Sequence, residues 1–151
     1  MQAKRATTLS VLCAVLAAAS CRGNGTLAPA PATTQVVRSV VGRLDVERYK
    51  ATILGLTVFG DRMQGTQRNL DALNWIEAQL KSYGYANVER HRYTYRDSVR
   101  ENIYATKVGT TTPGEMYIVS AHMDGRGGGE AADDDASGVA LVLELARLLG
   151  S

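Results

Sequence analysis

Apolar residues recur at helical spacing in three stretches of the chain. The first predicted helix runs over about 45–55: Asp45 caps it, and Val46, Tyr49, Ile53 and Leu54 or Leu56 turn inward. The second covers about 66–83. Leu70, Leu73, Trp75 or Ile76, and Leu80 follow three- and four-residue steps, and Gly84 suits the left-handed position past its end. The third covers 137–149, where Val139, Leu141, Val142, Leu143, Leu145, Leu148 and Leu149 occupy most of the circumference, so it should be buried or sandwiched. Residues 88–96 alternate, with His91, Tyr93 and Tyr95 on one face, and predict a half-exposed strand. A second strand is expected over 102–108, and residues 109–114 read as a turn. Residues 116–121 are almost continuously apolar, as in a strand buried on both faces. The order helix, helix, strand, strand, strand, helix predicts an α/β fold, a mixed and mainly parallel central sheet with helices on both faces.

The first twenty residues do not read as folded structure. Lys4 and Arg5 precede an apolar run over 11–19, then small residues and Cys21. This is the layout of a secretory signal, too short to span a membrane. Ala18-Ala19-Ser20-Cys21 resembles a bacterial lipobox, with Ala18 where leucine is usual. It implies lipidation of Cys21 and a lipid anchor in the cell envelope; ordinary cleavage and a periplasmic or secreted protein stay open. Residues 22–34, rich in Gly, Pro, Ala and Thr, read as a tether. The domain plan is a signal peptide over 1–20, a flexible linker over 21–40 and a folded region over 41–151. Of the two cysteines, Cys13 lies in the leader, so no intramolecular disulfide remains after export. Without Lys4 and Arg5, the 17 basic residues of the whole chain fall to 15, matching its 15 acids. A neutral chain with no basic block gives no reason to expect nucleic acid.

The chemistry concentrates near the end of the chain. The apolar run delivers His122 and, one residue on, Asp124. In an extended segment both side chains point the same way, so Asp124 can hold the far ring nitrogen of His122 and fix its tautomer for a metal. A glycine-rich loop then leads to Asp133, Asp134 and Asp135 at the start of the apolar helix. Helix N-termini favour anions, and a divalent cation relieves the repulsion between adjacent carboxylates. The end of a strand in an α/β sheet is also where ligands bind. Residues 125–130 miss the last glycine of a dinucleotide loop, and neither a phosphate-loop lysine nor a calcium-loop pattern is present.

The sequences Ser120-Ala121-His122-Met123-Asp124 and Asp133-Asp134-Asp135-Ala136-Ser137-Gly138 resemble the signature of the two-zinc aminopeptidases, family twenty-eight of the metallopeptidases. Gly60-Asp61-Arg62-Met63-Gln64-Gly65-Thr66 is similar to that family's arginine turn, Lys81-Ser82-Tyr83-Gly84-Tyr85 to the end of its first long helix, and Asn102-Ile103-Tyr104-Ala105 to a strand entering its core. The resemblance covers about residues 44–150 and implies a zinc exopeptidase-like fold and a peptide substrate. It implies that His122 ligates one of two Zn2+ ions, that Asp134 bridges both, that Asp124 orients His122, and that Asp133 and Asp135 support them. It also implies a cis peptide directly after Asp134. The family's general-base glutamate, a second ligand glutamate, a ligand aspartate and a final ligand histidine have no counterparts here. Glu144 reads as structural and His91 as a surface residue. The folded region is therefore expected to be the N-terminal half of a peptidase domain, incomplete at its C-terminus and inactive alone. A glutaminyl cyclase of the same fold and a non-catalytic surface binding relative are the alternatives.

Overall fold

The computed structural model describes residues 31–150. The expected signal peptide, Cys21 and the first part of the linker lie outside the described residues. The elements are α1 (Ala32–Val41), α2 (Val46–Thr57), α3 (Gln67–Ser82), β1 (Glu89–Tyr95), β2 (Ser98–Tyr104) and α4 (Ser137–Gly150). No described helix is long and apolar enough to cross a membrane. Residues 32–40, expected to complete the linker, instead form most of α1, a helix with no buried residue.

Local chemistry sets the helix ends. The Asp45 side chain accepts from the N–H groups of Glu47 and Arg48, and its own N–H donates to Glu144 Oε1 at 2.9 Å. One residue thus caps α2 and ties that cap to α4. Thr66 caps α3 by accepting from the N–H of Asn69. Gly84, at φ +91°, ends α3 in the left-handed region, and the Tyr85 N–H returns to the Leu80 carbonyl at 3.3 Å. The core is the meeting of α2, α3 and α4: Leu56, Ile76, Leu80, Ala136, Val139 and Leu143 are buried, and Ile53, Trp75, Ile103 and Met123 pack against them. Leu70 and Val46, expected inward, are exposed, and of the alternatives Leu54 and Leu56 it is Leu56 that is buried, because the core lies on the Leu73–Ile76–Leu80 stripe of α3 and the Thr52–Leu56 stripe of α2.

The sheet differs from expectation. Strands β1 and β2 form a two-stranded antiparallel hairpin with Glu89 opposite Tyr104 and Tyr95 opposite Ser98. Arg96 and Asp97, both at positive φ, make its two-residue turn. That turn starts the second strand at Ser98 rather than 102 and ends its pairing at Tyr104. Among the described residues there is no parallel central sheet. Residues 116–121 are not a strand, and Met116, Tyr117 and Ile118 are 80–85% exposed. The reason is physical: a strand exists only where a neighbour takes its N–H and C=O groups, and no described segment pairs with this one. Helix α4 is correspondingly not sandwiched. Val139, Ala140, Leu143 and Leu148 face the core, whereas Leu141 and Leu149 are exposed.

Candidate metal centre

Three segments converge on the chemistry singled out in the sequence: the turn after α2, the loop after the apolar run, and the acidic turn before α4. His122 and Asp134 meet directly, Nε2 to Oδ1 at 2.9 Å. On the far side of the ring, Nδ1 lies 2.9 Å from the main-chain carbonyl of Asp124 and 3.5 Å from its Oδ1. The carbonyl is the nearer partner. A carbonyl only accepts, so Nδ1 carries a proton, and the lone pair of the neutral ring then sits on Nε2, facing Asp134. Burial pulls the His122 pKa down. The bond to the Asp124 carbonyl and the carboxylates of Asp135, Asp134 and Asp124 outweigh it, and the net shift is upward. A metal ion bound there would take the Nε2 lone pair in place of a proton. Both side chains are open to solvent, His122 at 56% and Asp134 at 86%, so the pair is reachable by a ligand.

The three adjacent acids do different things. Asp134 faces His122. Asp135 Oδ1 accepts the Gly138 N–H at 2.8 Å, capping the first turn of α4. The Asp133 side chain points outward, and its carbonyl accepts from Ser137 Oγ at 2.8 Å. They sit in an irregular turn, Ala132–Ala136, closed by the Ala136 N–H on the Ala131 carbonyl at 3.2 Å. A cis peptide joins Asp134 to Asp135, at the position the sequence resemblance implied.

Arg62 and Gln64 lie in the stretch similar to an arginine turn, and the structure gives each its partners. Gln64 Nε2 donates to Asp124 Oδ2 at 3.1 Å. Arg62 is wholly buried and donates to the carbonyls of Met123, Leu56, Gly60, Glu130 and Ala131 at 2.7–3.0 Å. Its neighbour Asp61 accepts from Arg68 at 2.6 Å, and the Asp61 carbonyl accepts the Gly125 N–H at 2.6 Å. The similarity to an arginine turn pointed at the position; nothing in spacing or hydrophobicity showed its partners.

Gln64, His122, Asp124, Gly125, Arg126 and Asp134 line a cleft of about 550 Å³. Its donor set suits zinc, one imidazole nitrogen and one carboxylate oxygen pointing at a common space, but it is partial. Among the described residues no group of three or more His, Cys, Asp and Glu is placed to hold a metal ion. His91 stacks on Tyr93 on exposed β1 and is not part of the cleft. Glu144 is buried and binds Arg147 and the Asp45 N–H, a structural role as the sequence suggested.

Residues 102–151 match the model of peptidase family M28. A probable zinc metalloprotease of Pyrenophora teres is 30% identical over 149 residues, covering 82% of this chain and 31% of that protein. One of Leptosphaeria maculans is 29% identical over 153 residues, 84% of this chain and 35% of its own length. One of Pyricularia oryzae is 30% identical over 142 residues, 76% and 28% respectively. The chain thus spans about a third of the length of these curated relatives.

Proposed function

We propose that this segment, carrying the sequence of zinc metalloprotease family M28, is the first half of the active site of a two-zinc aminopeptidase. The observation that carries the reading is the His122–Asp134 pair, 2.9 Å apart at the rim of an open cleft, with the far nitrogen of His122 fixed by the Asp124 carbonyl. His122 would ligate one zinc and Asp134 would bridge two. Asp124 would orient the imidazole, and Asp135 would hold the acidic turn on α4. Asp133 would add negative charge beside the metals. The remaining donors and the general base would come from outside the described residues. Zinc held there would polarise a peptide carbonyl and activate water for its hydrolysis. The exposed run over 116–121 would then be an inner strand of a mainly parallel sheet, completed by chain outside the described residues. The leader would export the protein, and Cys21 would carry a lipid; incorporation of labelled palmitate that survives Cys21→Ser would refute the anchor.

The intact protein should release chromophore from an aminoacyl anilide, lose that activity to a chelator and regain it with Zn2+. Residues 1–151 alone should have none. Activity that persists in chelator refutes the metal mechanism. Conversion of an N-terminal glutamine to pyroglutamate without hydrolysis would identify the cyclase alternative, and zinc binding without either reaction the non-catalytic one. The relatives' names favour the protease.

A further inference from the structure

We infer that Arg62 is a positioning residue for this site, a staple that closes the glycine loop over 125–129 and so sets where His122 and Asp134 meet. The inference rests on the metal-centre reading and deepens it. The loop between the two ligand-bearing segments has little to hold it from within. Gly127, Gly128 and Gly129 all stand at positive φ, and a Cβ added at any of them would meet nothing within 4 Å. Such a segment has wide conformational freedom, and its ends would wander.

One guanidinium removes that freedom. Arg62 Nε holds the Met123 carbonyl at 2.7 Å, at the loop's beginning and one residue from His122. Its two terminal nitrogens hold the Glu130 and Ala131 carbonyls, each at 2.8 Å, at the loop's end. The Ala131 carbonyl is the same atom that closes the acidic turn carrying Asp134. The planar fork with five donors suits this task; a lysine ammonium offers three donors from a single point. Burial lowers the Arg62 pKa from its ordinary value, and the nearby carboxylates of Asp61 and Asp124 oppose that shift.

The test is zinc affinity of the intact protein, measured by competition with a chromophoric chelator, for wild type, Arg62→Lys and Leu143→Ala. Leu143→Ala serves as the control that weakens the core without touching the staple. Arg62→Lys should bind zinc about 10–100-fold more weakly, the range for losing a group that orients metal ligands, while folded Leu143→Ala binds like wild type. A folded Arg62→Lys within about threefold of wild type overturns the inference. Should Arg62→Lys fail to fold, hydrogen exchange on the wild type decides. Zinc should then protect the Gly125 N–H and the turn over 60–65 together with residues 122–136. Protection confined to the segments of His122 and Asp134 overturns the staple. A wild type that binds no zinc instead removes the metal-centre reading itself, a distinct outcome.

Discussion

Residues 116–121 and 122–136 are neighbours in sequence and alike in lacking strand and regular α-helix, yet their environments are opposite. The first run is the more hydrophobic, and it is exposed. The second is rich in glycine and carboxylates. It nonetheless holds buried Gly125 and Ala136, three carbonyls bonded by Arg62, and an acid that caps α4. What separates them is the supply of partners. A buried guanidinium, the Asp61 carbonyl and the first turn of α4 satisfy the polar backbone of the acidic segment, so it takes one conformation. The apolar run has side chains suited to a core but no neighbouring strand to take its N–H and C=O groups. Apolar character selects what a segment buries if it can; hydrogen-bond partners decide whether it has a place to be buried.

The contrast can be tested most forcefully at Asp134. If Asp134 bridges two zincs as proposed, Asp134→Ala in the intact protein should reduce anilide hydrolysis to background and leave neither zinc bound. Two zincs retained by elemental analysis would refute the bridging role. Next comes the core under the acidic turn. Leu143→Ala should destabilise the fold by about 2–5 kcal/mol in urea titration, the usual cost of deleting a buried leucine. A value near zero would mean that Leu143 is not part of the packed core. Third, a Cβ on Gly125 would stand 2.5 Å from that of Ala131 and 2.9 Å from the Asp61 carbonyl. Gly125→Ala should therefore cost about 1–3 kcal/mol by overpacking and weaken zinc binding as the loop shifts.

Acid should loosen the anchored region through Glu144. Its bonds to the Arg147 guanidinium, opposed by burial and aided by the Asp45 N–H, hold its pKa below the usual 4.5. The native state therefore prefers the carboxylate. That stabilisation is complete above the unfolded pKa and is lost as pH falls through the lower folded value. Glu144→Gln should flatten the acid limb of melting temperature against pH; an unchanged limb would assign acid sensitivity elsewhere. The smallest effect is expected in the exposed run. In residues 1–151, Ile118→Asp should change stability by no more than about 0.5 kcal/mol, as for a surface position. The same substitution should cost several-fold more in any longer form of the protein in which further chain covers this run as an inner strand. Equal small effects in both would break the proposal that it is one.

Helices α2, α3 and α4 were legible because their signals are local, whereas α1 lies almost wholly in the stretch that reads as linker. Asp45 is a cap, Gly84 is a stop, and the Leu73–Ile76–Leu80 stripe needs only its own periodicity. The hairpin was half legible. Alternation found the first strand, but the register came from a turn at Arg96 and Asp97 that residue preferences do not announce. The site was legible as a list and not as an arrangement. His122, Asp124 and the three acids were visible from type and spacing, and the division of labour among the acids was not. Asp134 facing the histidine, Asp135 capping α4 and Asp133 pointing outward follow from the path of one irregular turn.

The sequence alone determined which residues could do chemistry and where α2, α3 and α4 lie, because those properties depend on atoms a few positions apart. Tertiary structure decided which carbonyls Arg62 gathers, that Nδ1 of His122 leans on the Asp124 carbonyl more closely than on its carboxylate, and that residues 116–121 are not a strand here. Each of these depends on a hydrogen-bond partner and on how the intervening chain turns, and a strand exists only together with its neighbour.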